Sequence, residues 1–323
     1  MKRPTLLLAL TCALLPLSGA MAQTTLTSST LVIGFYKFEA PAGFSAWGCG
    51  LVTKKVYQGV ATSATAGAPS SGEPTSVITV AGASFLSYPL HYLEILSAGS
   101  EEGRNLDIIS TTPTTIRVKG IATGTPAFCV RKHNTVGSVF AGGAGIVPFD
   151  DSVTIYNSDG SSTIVQWDGV DWSPTGDVII YPGQGFLLSK AAPGIITIGG
   201  GEVAYIKSNV TKVNVYANAE FNLISPVNPL VPANASDPII TGIGRKTPTE
   251  FGLGSLLTPF DDFAFRLDKV GGFETVAVYQ FDGLSVNETT GVPAASDFFR
   301  VGEAVVIQSA TDSERTLQPT FAQ

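Results

Sequence analysis

Along the chain, short apolar runs alternate with clusters of Gly, Pro, Asn and Asp, and beyond residue 23 no 3.6-residue period is sustained. The runs are rich in β-branched and aromatic residues: Ser76 to Val80, Tyr92 to Leu96, Thr115 to Val118, Val153 to Tyr156, Ile195 to Ile198, Val203 to Ile206 and Lys212 to Val215. Their lengths and flanking turn residues predict strands. Helical pattern is confined to Thr135 to Phe140 and Thr249 to Leu257, too brief to cover the faces of a parallel sheet. The expected fold is all-β, an antiparallel β-sandwich or partly open barrel with only short helical turns.

A pattern of motifs occurs twice. Pro148-Phe149-Asp150-Asp151 returns as Pro259-Phe260-Asp261-Asp262, an offset of 259 − 148 = 111, and Gln166-Trp167-Asp168-Gly169 returns as Gln280-Phe281-Asp282-Gly283. Asp177 with Pro182-Gly183-Gln184-Gly185-Phe186 and Ser189 is answered by Asp297, Val301-Gly302-Glu303-Ala304-Val305 and Ser309. Gly137-Ser138 and Gly254-Ser255 precede the two Pro-Phe-Asp-Asp runs, and Ala42-Gly43-Phe44 has a looser echo in Ala219-Glu220-Phe221. The chain therefore reads as 1–22, a leader; 23–200, unit A, with a strand-rich insert near 76–119; and 201–323, unit B, related to unit A by internal duplication. Gly199-Gly200-Gly201 is the joint.

The repeated motifs read as structural first. Asp168-Gly169 and Asp282-Gly283 have the composition of two-residue type I′ hairpin turns. That register sets Trp167 opposite Val170 and Val165 opposite Trp172, with all four on one face, and likewise Tyr279, Phe281, Leu284 and Val286. Each face is a core wall or an aromatic platform for sugars, and packing is the more economical reading because the second copy stays apolar while losing both Trp. Pro182-Gly183 reads as a type II turn launching a core strand; a phosphate loop lacks its Lys-Ser/Thr and its helix. Asp150-Asp151, Asp261-Asp262 and Asn157-Ser158-Asp159-Gly160 read as turn and capping acids before cation ligands.

The ends of the chain and its cysteines add an address. Lys2 and Arg3, an apolar stretch from Leu6 to Leu17 and Ala20-Met21-Ala22 before Gln23 have the order of a secretory signal peptide, with a core too short to span a bilayer. Cleavage leaves Cys49 and Cys129, either a disulfide or two buried thiols. The expected location is secreted: extracellular, at the cell surface or in the periplasm.

Composition narrows the chemistry. With 19 basic and 26 acidic residues, a net charge of −7 and 44% hydrophobic residues, the chain is suited neither to nucleic acid nor to disorder. Only His91 and His133 are present, with no His-x-x-x-His, Cys-x-x-Cys or Gly-x-Ser-x-Gly. His133 lies in the polar run Arg131-Lys132-His133-Asn134, which reads as exposed. Glu94, Glu101, Glu102 and Asp107 are carboxylates for a hydrolase in principle, and a Cys–His133 dyad is the thiol alternative. No catalytic, cofactor-binding or metal-ligating residue is assigned on these grounds.

Phe221-Asn222-Leu223-Ile224-Ser225-Pro226 and Pro182-Gly183-Gln184-Gly185-Phe186-Leu187-Leu188 resemble the paired Gly-Trp-Asn-Leu-Ile-Ser and Gly-x-Gly-Tyr-Trp-Val segments of an exported bacterial β module. The order of Gly34-Phe35-Tyr36, Ala42-Gly43-Phe44, Tyr92-Leu93-Glu94-Ile95, Gly99 to Gly103, Asp107-Ile108, Thr135 to Phe140 and Asp177 to Leu188 resembles an uncharacterised paralogous family of signal-bearing verrucomicrobial proteins. That resemblance implies export and a β fold, and carries no activity, ligand or site residue. The expected function is that of an exported noncatalytic β-protein of the cell surface or extracellular matrix, an assembly subunit among the possibilities. The alternatives are a carbohydrate-binding module using Trp47, Trp167 or Trp172, and an extracellular hydrolase. Expected partners are other surface proteins, a second copy or glycans.

Overall fold

The structure is a computed structural model that describes residues 34–200, 202–205, 210–217, 222–225, 251, 253–268, 274–289 and 302–317. The fold is all-β: antiparallel sheets in a sandwich arrangement, with no closed barrel and no helix of seven residues among the described residues. In unit A a five-stranded sheet runs Trp172–Ser173, Ser162–Trp167, Ser152–Tyr156, Gly185–Lys190, Gly43–Gly48. A separate pair, Phe35–Ala40 with Gly194–Gly199, faces it. Phe35–Ala40 buries alternate residues, as a strand with one wet face must. Its Phe38 stacks on Trp47 of the large sheet with ring centroids 3.9 Å apart, over a core that includes Phe140, Val153, Val165, Phe186, Ile196 and Ile198.

Unit B repeats this order strand for strand. Its sheet runs Val286–Glu288, Glu274–Phe281, Phe263–Asp268, Val305–Gln308, Asn222–Ile224, and its separate pair is Thr211–Val215 with Ser313–Leu317. A four-residue helix occupies the same place in chain order in each unit, Val136–Val139 and Leu253–Leu256, and turns its buried residues into the local core. The first is closed by a capping box between Thr135 and Ser138. Residues 249, 250 and 252 of the second expected helical stretch, Asp297, and the strand end at 206 lie outside the described residues.

The insert is larger than the 76–119 that hydrophobic pattern delimits. A seven-stranded sheet runs Lys55–Val60, Ala127–Lys132, His91–Ile95, Asn105–Thr111, Thr115–Lys119, Glu73–Thr79, Ser63–Ser70, over its own core of Ile78, Leu93, Ile95, Ile116, Val118, Phe128 and Val130. Its two edge strands follow one another in sequence, so the sheet curls. The edge strand Ser63–Ser70, with the sequence SATAGAPS, has almost no apolar signal of its own and is defined by its pairing with Glu73–Thr79.

Both hairpins correct the expected register. Trp167 pairs with Trp172 and Phe281 with Val286, so four residues, not two, form each loop. The cause is the loop aspartate. Asp168 Oδ1 accepts from the N–H groups of Val170 and Asp171 at 2.8 and 2.7 Å, and Asp282 Oδ1 accepts from Leu284 and Ser285 at the same distances. Val165, Trp167 and Trp172 still face the core, but Val170 and Leu284 move out to the exposed tips. The expected turn at Pro182-Gly183 is present: Gln184 N–H donates to Tyr181 C=O at 2.9 Å and Gly183 has φ 85°, the type II geometry.

The units clasp each other reciprocally. Ser225 N–H, at the end of one unit B strand, donates to Gly183 C=O of unit A at 2.9 Å, while Gly48 N–H of unit A donates to Gly302 C=O of unit B at 2.8 Å. Ala46, Leu187, Leu223, Ala304 and Val306 fill the seam. Gly48 is obligatory there, since a Cβ at that position would lie 2.1 Å from Ser225 Cβ.

Candidate cleft at the junction of insert, unit A and unit B

Where the three parts meet, a cleft of about 840 Å³ opens. The insert supplies Arg104 and Asp107, unit A supplies Tyr156 and Tyr181, and unit B supplies Asn214 and Tyr216. Each part is tied to another across it. Arg104 of the insert forms a bidentate fork on Glu314 of unit B, Nε to Oε2 at 2.8 Å and Nη2 to Oε1 at 2.9 Å. Asp107 of the insert accepts from Tyr181 Oη of unit A at 2.9 Å on Oδ2 and lies 3.1 Å from His133 Nε2 on Oδ1.

His133 corrects the expectation of exposure: it is 2% exposed, between the rings of Tyr92 and Tyr181 at 4.9 and 5.2 Å. It does not line the cleft but stands behind Asp107. Burial works to raise the Asp107 carboxyl, yet the hydrogen bonds from His133 and Tyr181 outweigh it and hold the group below the usual aspartate range. Burial and the Asp107 charge together push the Tyr181 phenol up, so it stays a donor. With both oxygens engaged, Asp107 is a fixed acceptor rather than a free base.

The other sequence candidates are elsewhere. Cys49 and Cys129 are separate buried thiols, not a disulfide. Burial pushes each up to about 12, and Cys129 lies against Glu94 at 3.5 Å rather than against His133. Cys49 Sγ donates to Leu51 C=O at 3.3 Å, so neither thiol is hydrogen-bonded to His133. Glu94 is buried on Arg131, Nε to Oε2 at 2.9 Å, deep in the insert. Glu101 faces Arg104 at 3.8 Å. Asp151 and Asp262 are buried caps: each accepts from a backbone N–H four residues earlier, Val147 at 2.7 Å and Thr258 at 2.8 Å. Lys190 pairs with Asp151 and Arg315 with Asp262. Asn157 to Gly160 form a turn in which Asp159 accepts from Ser161.

None of the three Trp offers a free platform. Trp47 is 2% exposed, and Trp167 and Trp172 lie half-buried on the unit A core. The rings that line the cleft are Tyr156, Tyr181 and Tyr216, each in a different local sequence pattern, so no shared motif marks them. No family model, no curated protein and no solved structure matches the chain.

Proposed function

We propose that the protein is an exported, noncatalytic β-protein of the cell surface or extracellular matrix, built from two copies of one fragment, that holds a neutral carbohydrate in the cleft. One observation carries this reading: the cleft sets tyrosine rings beside polar groups held in place, with Asp107 fixed by His133 and Tyr181, Arg104 by Glu314, and Lys212 Nζ donating to Thr316 Oγ1 at 2.7 Å. Arg104 is committed to Glu314 and Lys119 to Glu73, so neither a phosphate nor a cationic ligand finds an unsatisfied counter-charge on those residues. Sugars present C–H faces for stacking and hydroxyls for acceptors such as Asp107 and Asn214, which suits such a lining. Export rests on residues 1 to 22, which lie outside the described residues, and kinship with the verrucomicrobial paralogues belongs to the same proposal.

The test is a glycan array of neutral oligosaccharides with the secreted chain, followed by calorimetric titration of any hit. Tyr216→Ala and Asn214→Ala, which leave the Asp107 and Arg104 ties in place, are expected to weaken binding at least tenfold. An empty array, or affinity unchanged in both variants, refutes the reading.

A further inference from the structure

Two loops away from the cleft share an unusual feature. Phe149 and Phe260 sit at φ 64° and 65°, a left-handed backbone that costs a bulky residue about 1–2 kcal/mol and that Gly or Asn takes more cheaply. Neither ring gains burial in return, being 71% and 66% exposed. Both loops are held from behind. Phe149 N–H donates to Trp167 C=O at 2.8 Å and Phe260 N–H to Phe281 C=O at 2.9 Å, and the buried Asp151 and Asp262 cap the same turns.

Each ring also has an apolar neighbour. Pro148 packs over Gly169 and Pro259 over Gly283, beside the hairpin tips whose Val170 and Leu284 are 78% and 95% exposed. The left-handed corner has no need of a phenyl ring, and the chain's own core does not receive it. That the costly residue stands in both units points to a use outside the chain.

Charge selects the partner. Asp150, Asp171 and Asp261 flank the tips, exposed and without an ion-pair partner among the described residues. The carboxylates of Asp168 and Asp282 are taken up by their own loops. Carboxylates beside the rings repel an anionic membrane surface, and a chain of net charge −7 disfavours tip-to-tip docking of a second copy.

We propose that the two tips are docking points for a cationic polypeptide segment, which lays an aliphatic or aromatic side chain on Phe149 or Phe260 and sets Lys or Arg against the neighbouring carboxylates. Such a site combines ring contact with charge-assisted hydrogen bonds, and an arginine also stacks on the ring itself.

The experiment presents the intact secreted protein to immobilised twelve-residue peptides, each with one Leu, Phe or Trp among Lys and Arg, and to the same set with Asp and Glu in place of the cations. The wild type is expected to be retained by the cationic set alone. The double variant Phe149→Asn/Phe260→Asn is expected to lose retention at least tenfold while melting no lower than the wild type, because Asn accepts the left-handed corner. Asn214→Ala in the cleft is expected to leave retention unchanged, which separates this site from the carbohydrate reading. The idea is overturned if the wild type is not retained, if the double variant is retained equally, or if the acidic set also binds. It is overturned too by ring-dependent binding to phosphatidylglycerol vesicles, by ring-dependent dimerisation, or by a lower melting temperature of the double variant, which would make the rings structural.

Discussion

At the scale of single residues, the buried charges decide most. Asp151 is fully buried, and Val147 N–H, Ala191 N–H and Lys190 Nζ all reach its carboxyl oxygens, so its polar atoms are partnered inside the core. Unit B solves the same problem with an arginine from a different strand, Arg315 on Asp262, whose guanidinium side chain is 17% exposed. The Asp-Asp repeat was legible in sequence, and so was its capping role; the cations were not, since they stand 39 and 53 residues away and occupy non-equivalent places in the two units. Lys190→Met is expected to cost about 3–5 kcal/mol by stranding a buried carboxylate, and Arg315→Met distinctly less because water reaches that pair. Urea unfolding, read as a midpoint shift at constant slope, checks both.

At the scale of elements, the hairpins show how one side chain resets a register. Asp-Gly announces a turn, but whether two or four residues make it depends on whether the aspartate bonds back to the loop amides. Here it does, in both units. Hydrogen bonds first from the N–H of Asp171 and Ser285, then from Val170 and Leu284, hold the Asp168 and Asp282 carboxyls below the ordinary aspartate range. A depressed folded value means that any stability these bonds contribute is present above the unfolded value, near pH 4, and is lost as pH falls through the folded one. Carboxyl NMR titration is expected to give both aspartates midpoints below the ordinary aspartate value of about 4. Titration at the ordinary value in either would mean that the loop bonds are not formed in solution.

At the scale of the whole molecule, polar groups tie the insert to both units: Asp107 with His133 and Tyr181, and Thr53 Oγ1 on Lys132 C=O, on the unit A side; the Arg104–Glu314 fork and Lys212 N–H on Gly103 C=O on the unit B side. Because Asp107 is depressed on folding, its contribution is complete above about pH 4 and fades below it. Replacement by Asn removes that dependence: between pH 5 and 3 the Asp107→Asn variant is expected to lose less stability than the wild type, with a lower starting value. An equally steep loss in thermal midpoint over that window would show that the Asp107 contacts are not formed. Periodicity, turn residues and the twofold recurrence of motifs determined the β class, the tandem units and the turns, because these depend on alternation and backbone preference within a few residues. The insert's full extent, the loop register, the burial of His133, the separation of Cys49 from Cys129 and the cleft itself were decided only in three dimensions. Each depends on groups from distant segments meeting at one place, and neither the partner of a buried charge nor the wall of a cavity leaves a local mark in the chain.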